Sequence, residues 1–143
     1  MILDTLITDR TGGDVSRLKA LIAKGANMTQ AEIEQFLLDS KGAYNASDLN
    51  RVGEACEYIA AELQGVGEVF EIEMKKDWSM SDRVTATQLR EYLASIKKVH
   101  DAVSIPITPA PTKLNNIREA NAIEQMLLDI HDIIQRQLAF LLY

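Results

Sequence analysis

Apolar residues recur at spacings of three and four over most of the chain, with polar residues between them. This period is typical of helices that bury one face. The clearest apolar stripe consists of Leu49, Val52, Cys56, Ile59, Ala60 and Leu63. Similar stripes precede and follow it, and they predict a mainly α-helical protein with four or five helices. We expect one compact domain over residues 1–143.

Polar residues at the start of each stripe indicate where the helices begin. A side-chain oxygen at this position accepts a hydrogen bond from a free backbone amide of the first turn. Where Glu or Gln follows three residues later, the pair forms a reciprocal capping box. The predicted caps are Asp14 or Ser16 for the first helix, Thr29 with Glu32 for the second, Ser47 for the third, and Thr85 with Gln88 for the fourth.

Two stretches depart from the helical period. Residues 68–75 alternate polar with apolar for part of their length, which predicts a strand as a minor β element. Its backbone needs a partner, such as the start of the chain or residues 78–80. Residues 104–111 contain three prolines, which remove amide donors and exclude a helix there.

The last predicted helix runs from about Asn115 to the end, and its apolar arc is wider than one buried face requires. Complete burial within the bundle accounts for such an arc. The alternative is a contact with a partner or a second copy. Trp78 is a further candidate for such a contact, although packing over the core is the commoner outcome. The candidate interface residues are Met126, Ile133, Phe140, Leu141, Tyr143 and Trp78.

Composition excludes several classes of protein. The net charge is −6, and the basic residues are scattered among acidic ones, so we expect no nucleic-acid binding. A single cysteine cannot form an internal disulfide. No apolar run approaches the ~20 residues of a membrane span, and we expect no membrane insertion. Acidic residues near the start also lead us to expect no export by a signal peptide.

Residues with catalytic or metal-binding chemistry are few. His100 and His131 each precede an aspartate, but neighbouring positions on a helix do not face each other, so both histidines are expected on the solvated surface. Cys56 lies in an apolar stripe and is expected to be a buried, inert thiol. The glutamates at 68, 71 and 73 lack the spacing of a calcium loop. We therefore expect no catalytic residue, cofactor or metal.

A polar cluster surrounds the start of the third helix. Asn45 and Ser47 can bond the local backbone, and Arg51 can reach back to Asp48. These local bonds are a sufficient explanation for the cluster. Recognition of a peptide or sugar is the functional alternative, and nothing else in the sequence supports it.

Motifs spread over nearly the whole chain carry a family resemblance. They are Thr8-Asp9-Arg10-Thr11, Asp14-Val15, Arg17, Lys24-Gly25, Met28-Thr29, Ala31-Glu32, Lys41-Gly42-Ala43-Tyr44-Asn45, Asp48-Leu49-Asn50-Arg51-Val52, Asp77-Trp78, Tyr92-Leu93, the proline connector and Ala120-Asn121, Ile123-Glu124-Gln125. The chain resembles small tail and tail-tip proteins of long-tailed phages and prophages of Gram-positive bacteria, including those of Bacillus.

The resemblance implies a non-enzymatic structural or adaptor protein of the tail tip or baseplate. The implied partners are other tail-tip proteins and, weakly, a second copy of the chain. The implied location is the virion tail, after synthesis in the host cytoplasm. One alternative is a protein outside the virion that binds a host protein or helps assembly. Another is a cell-wall hydrolase or carbohydrate-binding module, which would need paired carboxylates or an activated nucleophile.

Overall fold

The computed structural model describes residues 1–38, 41–68, 70–103 and 107–141, and the side chains of 37–38 and 138–141 are outside the description. Tyr143 and part of the proline connector therefore fall outside it as well. Within the described residues the chain is mainly α-helical, as predicted. The helices are α1 (Gly12–Lys24), α2 (Gln30–Leu38), α3 (Ala46–Gly65), α4 (Ala86–Asp101) and α5 (Ile117–Leu141), with short 3-10 helices at Ile2–Thr5 and Gly25–Asn27.

Two of the four predicted caps are confirmed. The amide of Glu32 donates to the Thr29 hydroxyl at 3.2 Å. The amide of Gln88 donates in the same way to the hydroxyl of Thr85 at 3.1 Å. In each pair the later side chain accepts from the earlier amide. The sequence therefore specifies the starts of α2 and α4 through local hydrogen bonds.

The predicted caps of α1 and α3 are wrong, because each helix begins earlier. Thr11 caps α1, and Asp14 is the acidic member of its capping box. Asn45 caps α3, and the amide of Ser47 donates to the Asn45 side chain at 3.0 Å. In both cases an aspartate completes the box where glutamate or glutamine is usual, so the motif in the sequence did not indicate the cap.

Helix α3 lies at the centre of the domain and contacts α4, α5 and the first 3-10 helix. Its Val52, Ala55, Cys56 and Ile59 are fully buried. Helix α5 crosses against it with a buried face that extends over several turns. The buried residues of that face are Ala120, Ile123, Glu124, Met126, Leu127, Ile130 and Ile134.

The predicted strand at residues 68–75 is absent from the described part of the chain, and this expectation was wrong. The alternation itself is present, because Phe70 and Met74 are buried while Glu71, Glu73 and Lys75 are exposed. Side chains of α3 take the place of a partner strand. Gln64 donates to the Phe70 carbonyl, and Glu57 accepts from the Met74 amide at 3.1 Å. An extended segment thus forms without a sheet.

None of the described helices is both long enough and apolar enough to cross a membrane. The arc of α5 is wide because it packs against several elements, and Met126 belongs to this core at 5% exposure. Ile133 is half-buried. Helix α5 begins at Ile117 rather than Asn115, since Asn116 caps it by accepting from the Glu119 amide at 2.9 Å.

Candidate functional site

Four charged residues from three separate parts of the chain meet in the interior. Arg10 comes from the segment before α1, Asp48 and Arg51 come from the first turns of α3, and Glu124 comes from α5. The side chains of Arg10 and Glu124 are 1% and 0% exposed. We call these four residues the buried charge cluster. Its formal charges cancel, which is how a protein interior accommodates ionised groups.

Glu124 accepts hydrogen bonds on both carboxylate oxygens. Arg10 Nη2 donates to Oε2 at 2.5 Å, and Arg51 donates through Nε at 2.7 Å to Oε1 and through Nη2 at 3.2 Å to Oε2. The backbone amide of Ile7 adds a fourth bond at 3.1 Å to Oε1. This carboxylate therefore ties the N-terminal segment and α3 to α5.

Asp48 belongs both to the buried charge cluster and to the capping box of α3. Its Oδ1 accepts from Arg51 at 2.5 Å and from Arg10 at 3.3 Å. Its Oδ2 accepts from the amide of Asn45 at 2.8 Å and so completes the capping box of α3. The predicted contact from Arg51 back to Asp48 is confirmed. The partners at Arg10 and Glu124 come from distant parts of the chain.

Asn121 holds the backbone of Arg10 in place. Its carbonyl oxygen accepts from the Arg10 amide at 3.0 Å, and its side-chain nitrogen donates to the Arg10 carbonyl at 3.0 Å. The Arg10 guanidinium also donates to the carbonyl of Ile7 at 2.9 Å and lies over the ring of Tyr44, 5.6 Å from its centroid. Arg10 is therefore fixed from several sides.

Electrostatics keeps Arg51 charged and the nearby tyrosines neutral. Burial disfavours the charge of Arg51, but hydrogen bonds to Glu124 and Asp48 outweigh burial, so the pKa of its guanidinium lies above its usual value. Burial raises the pKa of Tyr44 and that of Tyr92 well above the usual range. The two hydroxyls bond each other at 2.5 Å.

Further pairs join distant residues around the cluster. Lys41 lies 2.9 Å from the carboxylate of Asp9. Asn50 accepts from the Trp78 amide at 2.8 Å and donates to the Trp78 carbonyl at 2.9 Å. Trp78 is half-buried against the core, as the commoner expectation had it. The first pair joins two loops to each other, and the second fastens the loop at Trp78 to α3.

A cleft of about 430 Å³ lies beside the cluster, between α1, the loop at 42–44 and the start of α5. Gly42 allows the loop to lie against α1, since a Cβ there would be 2.3 Å from the Asp14 carbonyl oxygen. The cleft has the volume of a small-molecule site. Arg10 lines it, but the terminal nitrogens of its guanidinium already bond Ile7, Asp48 and Glu124.

The geometry of the buried charge cluster suits a role in stabilising the fold better than a role in proton transfer. Every carboxylate oxygen of Asp48 and Glu124 accepts at least one hydrogen bond from within the chain. A general base would have to break one of these bonds to reach a substrate proton. Among the described residues, no group of three or more His, Cys, Asp or Glu side chains could hold a metal ion.

The two histidines differ from their predicted surface positions. His131 is half-buried and pairs across helices with Glu62, with 2.7 Å between Nδ1 and Oε1. His100 is half-buried too, and its Nδ1 lies 2.9 Å from the carboxylate of Asp101. Cys56 is buried as expected, and burial raises the pKa of its thiol.

The candidate interface residues do not form one exposed surface in the described part of the chain. Met126 is in the core, and Ile133 and Trp78 are half-buried. The side chains of Phe140 and Leu141 lie outside the described residues, as does Tyr143. Among the large apolar residues whose side chains the structure describes, Met80 is exposed to 69%, Met1 to 59% and Ile22 to 58%.

Sequence reasoning missed Arg10 and Glu124 as members of a site. For Glu124 a signal exists, since it stands three residues before Leu127 and four after Ala120, on the apolar face of its helix. A charged residue at such a position predicts a buried partner of opposite charge. No comparable signal marks Arg10, which lies in a segment without a period.

Comparisons with models of known protein families, with curated proteins and with solved structures find no match to this chain.

Proposed function

We propose that this chain is a non-enzymatic structural or adaptor protein of a phage tail tip, which acts by binding other proteins. The proposal begins from the resemblance to tail and tail-tip proteins of siphophages of Gram-positive bacteria. Its partners are neighbouring tail-tip proteins and, weakly, a second copy. Its location is the virion tail.

One observation carries the proposal: residues of the resemblance motifs bind one another. Arg10, Asp48, Arg51 and Glu124 belong to three motifs and form the buried charge cluster. The pairs Asp9 with Lys41, Tyr44 with Tyr92, and Asn50 with Trp78 also each join two different motifs.

Motifs whose residues bind one another specify the fold. The outer surface of the domain then determines which partner proteins it binds. A protein that works through surface contacts needs a rigid scaffold of this kind. A catalytic family would instead share residues that converge on an open site with an activated nucleophile or base. The observed use of the motif residues therefore favours assembly over chemistry.

The loop after Trp78 is the best candidate for a contact surface. Met80 and Val84 are 69% and 41% exposed, and the turn that bears Met80 is held by Asp82, which accepts from the Ser79 amide at 2.7 Å. Exposed apolar side chains on a fixed loop lose little entropy on binding. This loop thus replaces Met126 as a candidate contact.

Deletion of the coding sequence from the phage or prophage tests the proposal. We expect particles with defective or absent tails by electron microscopy, and rescue by the wild-type chain. Met80→Asp should fold but rescue poorly, whereas Ile22→Asp, at a similarly exposed position on α1, should rescue fully. Normal tails in the deletion strain would overturn the proposal.

A further inference from the structure

The extended segment at residues 70–75, which we call the strap, lies beside a groove and is fastened to α3 and α4 at several backbone groups, but not at Ile72. Phe70 and Met74 face the core, and Glu71 and Glu73 are exposed. In an extended chain, the amide and carbonyl groups of alternate residues point to the same side. The even-numbered residues of the strap therefore present their backbone groups along one edge.

That edge faces α3, and its two ends are occupied. Gln64 binds the carbonyl of Phe70, and Glu57 binds the amide of Met74. Ile72 lies between them, and no hydrogen bond from any described residue engages its amide or its carbonyl. Ile72 thus offers one donor and one acceptor, which is what one residue of an antiparallel strand pair exchanges with its partner.

A groove of about 580 Å³ runs beside this free edge. Ala60 and Ala61 of α3 contribute small apolar side chains to it, and its other lining residues are Ile72, Gln64 and the glutamates at 57, 71 and 73. Small side chains leave room for an incoming backbone to approach Ile72. The groove therefore places the unbonded backbone groups of Ile72 beside two small side chains of α3.

The charged residues around the groove indicate what kind of peptide would bind in it. Glu71 and Glu73 are exposed and take part in no ion pair with any described residue. The nearby cations are engaged, since Lys76 binds Glu57 at 2.7 Å and Lys98 donates to the Glu71 carbonyl at 2.7 Å. In an antiparallel pair centred on Ile72, the partner residues on either side of the central one lie opposite the two glutamates.

We infer that the groove binds an extended peptide segment of a partner protein with the pattern basic, apolar, basic, by antiparallel addition to the strap at Ile72. The central apolar side chain packs toward Ala60 and Ala61, and its backbone exchanges two hydrogen bonds with Ile72. The flanking Lys or Arg side chains pair with Glu71 and Glu73. This mode is β-strand addition to an unpaired edge. It does not depend on the virion proposal, since isolated protein suffices to test it.

Titration of the ¹⁵N-labelled full chain with the peptide acetyl-Ser-Lys-Val-Lys-Ser-amide tests the inference by NMR. We expect a saturable downfield shift of the Ile72 amide as it gains a hydrogen bond. The same peptide methylated on the valine nitrogen loses the bond to the Ile72 carbonyl. It should bind about 2- to 12-fold more weakly, from the usual net strength of a hydrogen bond.

Matched charge variants complete the test. Glu71→Gln with Glu73→Gln should weaken binding about 2- to 30-fold, as two cross-strand charge pairs would. Asp129→Asn with Asp132→Asn removes the same charge from exposed positions of α5 and should leave binding unchanged. No saturable shift, or equal binding of Ser-Lys-Lys-Val-Ser, which lacks the alternation, would overturn the inference.

Discussion

Replacing Glu124 with glutamine removes one charge from the buried cluster and leaves the size of the side chain unchanged. Arg10 and Arg51 then retain two positive charges against the single carboxylate of Asp48. The glutamine NH₂ group would also face guanidinium donors, which cannot accept a hydrogen bond from it. The substitution therefore leaves an uncompensated charge in a site where Glu124 itself is 0% exposed.

Removal of one partner from a buried ion pair costs about 3–5 kcal/mol. A small domain has a total stability of about 5–15 kcal/mol, so this loss is a large share of it. For a chain of this length it corresponds to a fall in Tm of about 10–20 °C. Urea unfolding followed by circular dichroism measures the free energy, and a thermal scan measures the shift in Tm.

Asp132→Asn is the matched control on the same helix. Asp132 pairs with Arg136 at 2.8 Å, but their side chains are 59% and 79% exposed. Exposed pairs contribute about 0–1 kcal/mol, so the control should unfold close to the wild-type midpoint. If Glu124→Gln also cost less than about 1 kcal/mol, the cluster would not be a principal tie between the three segments.

Three further predictions concern other parts of the fold. Gly42→Ala should lower the free energy of unfolding measured in urea by about 1–3 kcal/mol, because the new Cβ would be 2.3 Å from the backbone of α1. The control is Gly65→Ala, whose new Cβ would have nothing within 4 Å, so this variant should be as stable as the wild type or more so. The thiol of Cys56 should react with Ellman's reagent only as fast as the domain unfolds, since the thiol is buried and its pKa is raised; rapid labelling of native protein would contradict this. Partial burial opposes ionisation of Glu57, but bonds from Lys76 and the Met74 amide outweigh burial and lower its pKa. The stability that ionised Glu57 contributes is present above its usual pKa of 4.5 and is lost as pH falls through its lower pKa in the folded state. Glu57→Gln should therefore reduce the difference between the urea midpoints measured at neutral and at acidic pH. An unchanged difference would refute this.

Sequence periodicity predicted the parts of the fold that local physics determines. The stripe from Leu49 to Leu63 follows α3 because one buried face repeats along the whole helix. The capping boxes at Thr29 and Thr85 are local hydrogen bonds and were predictable for the same reason. Alternation at residues 70–75 correctly indicated which side chains are buried.

The remaining features depend on contacts that sequence spacing does not encode. Whether an alternating segment joins a sheet depends on what lies beside it, and here Gln64 and Glu57 supply the partners. The cluster joins Arg10 to Glu124, which are 114 residues apart, so no local pattern relates them. His131 faces Glu62 for the same reason, because the pair forms only when α3 and α5 pack.

The most direct test of the tail-component proposal is the amount of this chain in purified virions. Gradient-banded particles and infected-cell lysate would be compared by mass spectrometry, with an isotope-labelled copy of the chain added as a standard. The proposal predicts a fixed number of copies for each particle, constant across the gradient band. A chain that is abundant in the lysate but absent from the particles would contradict it.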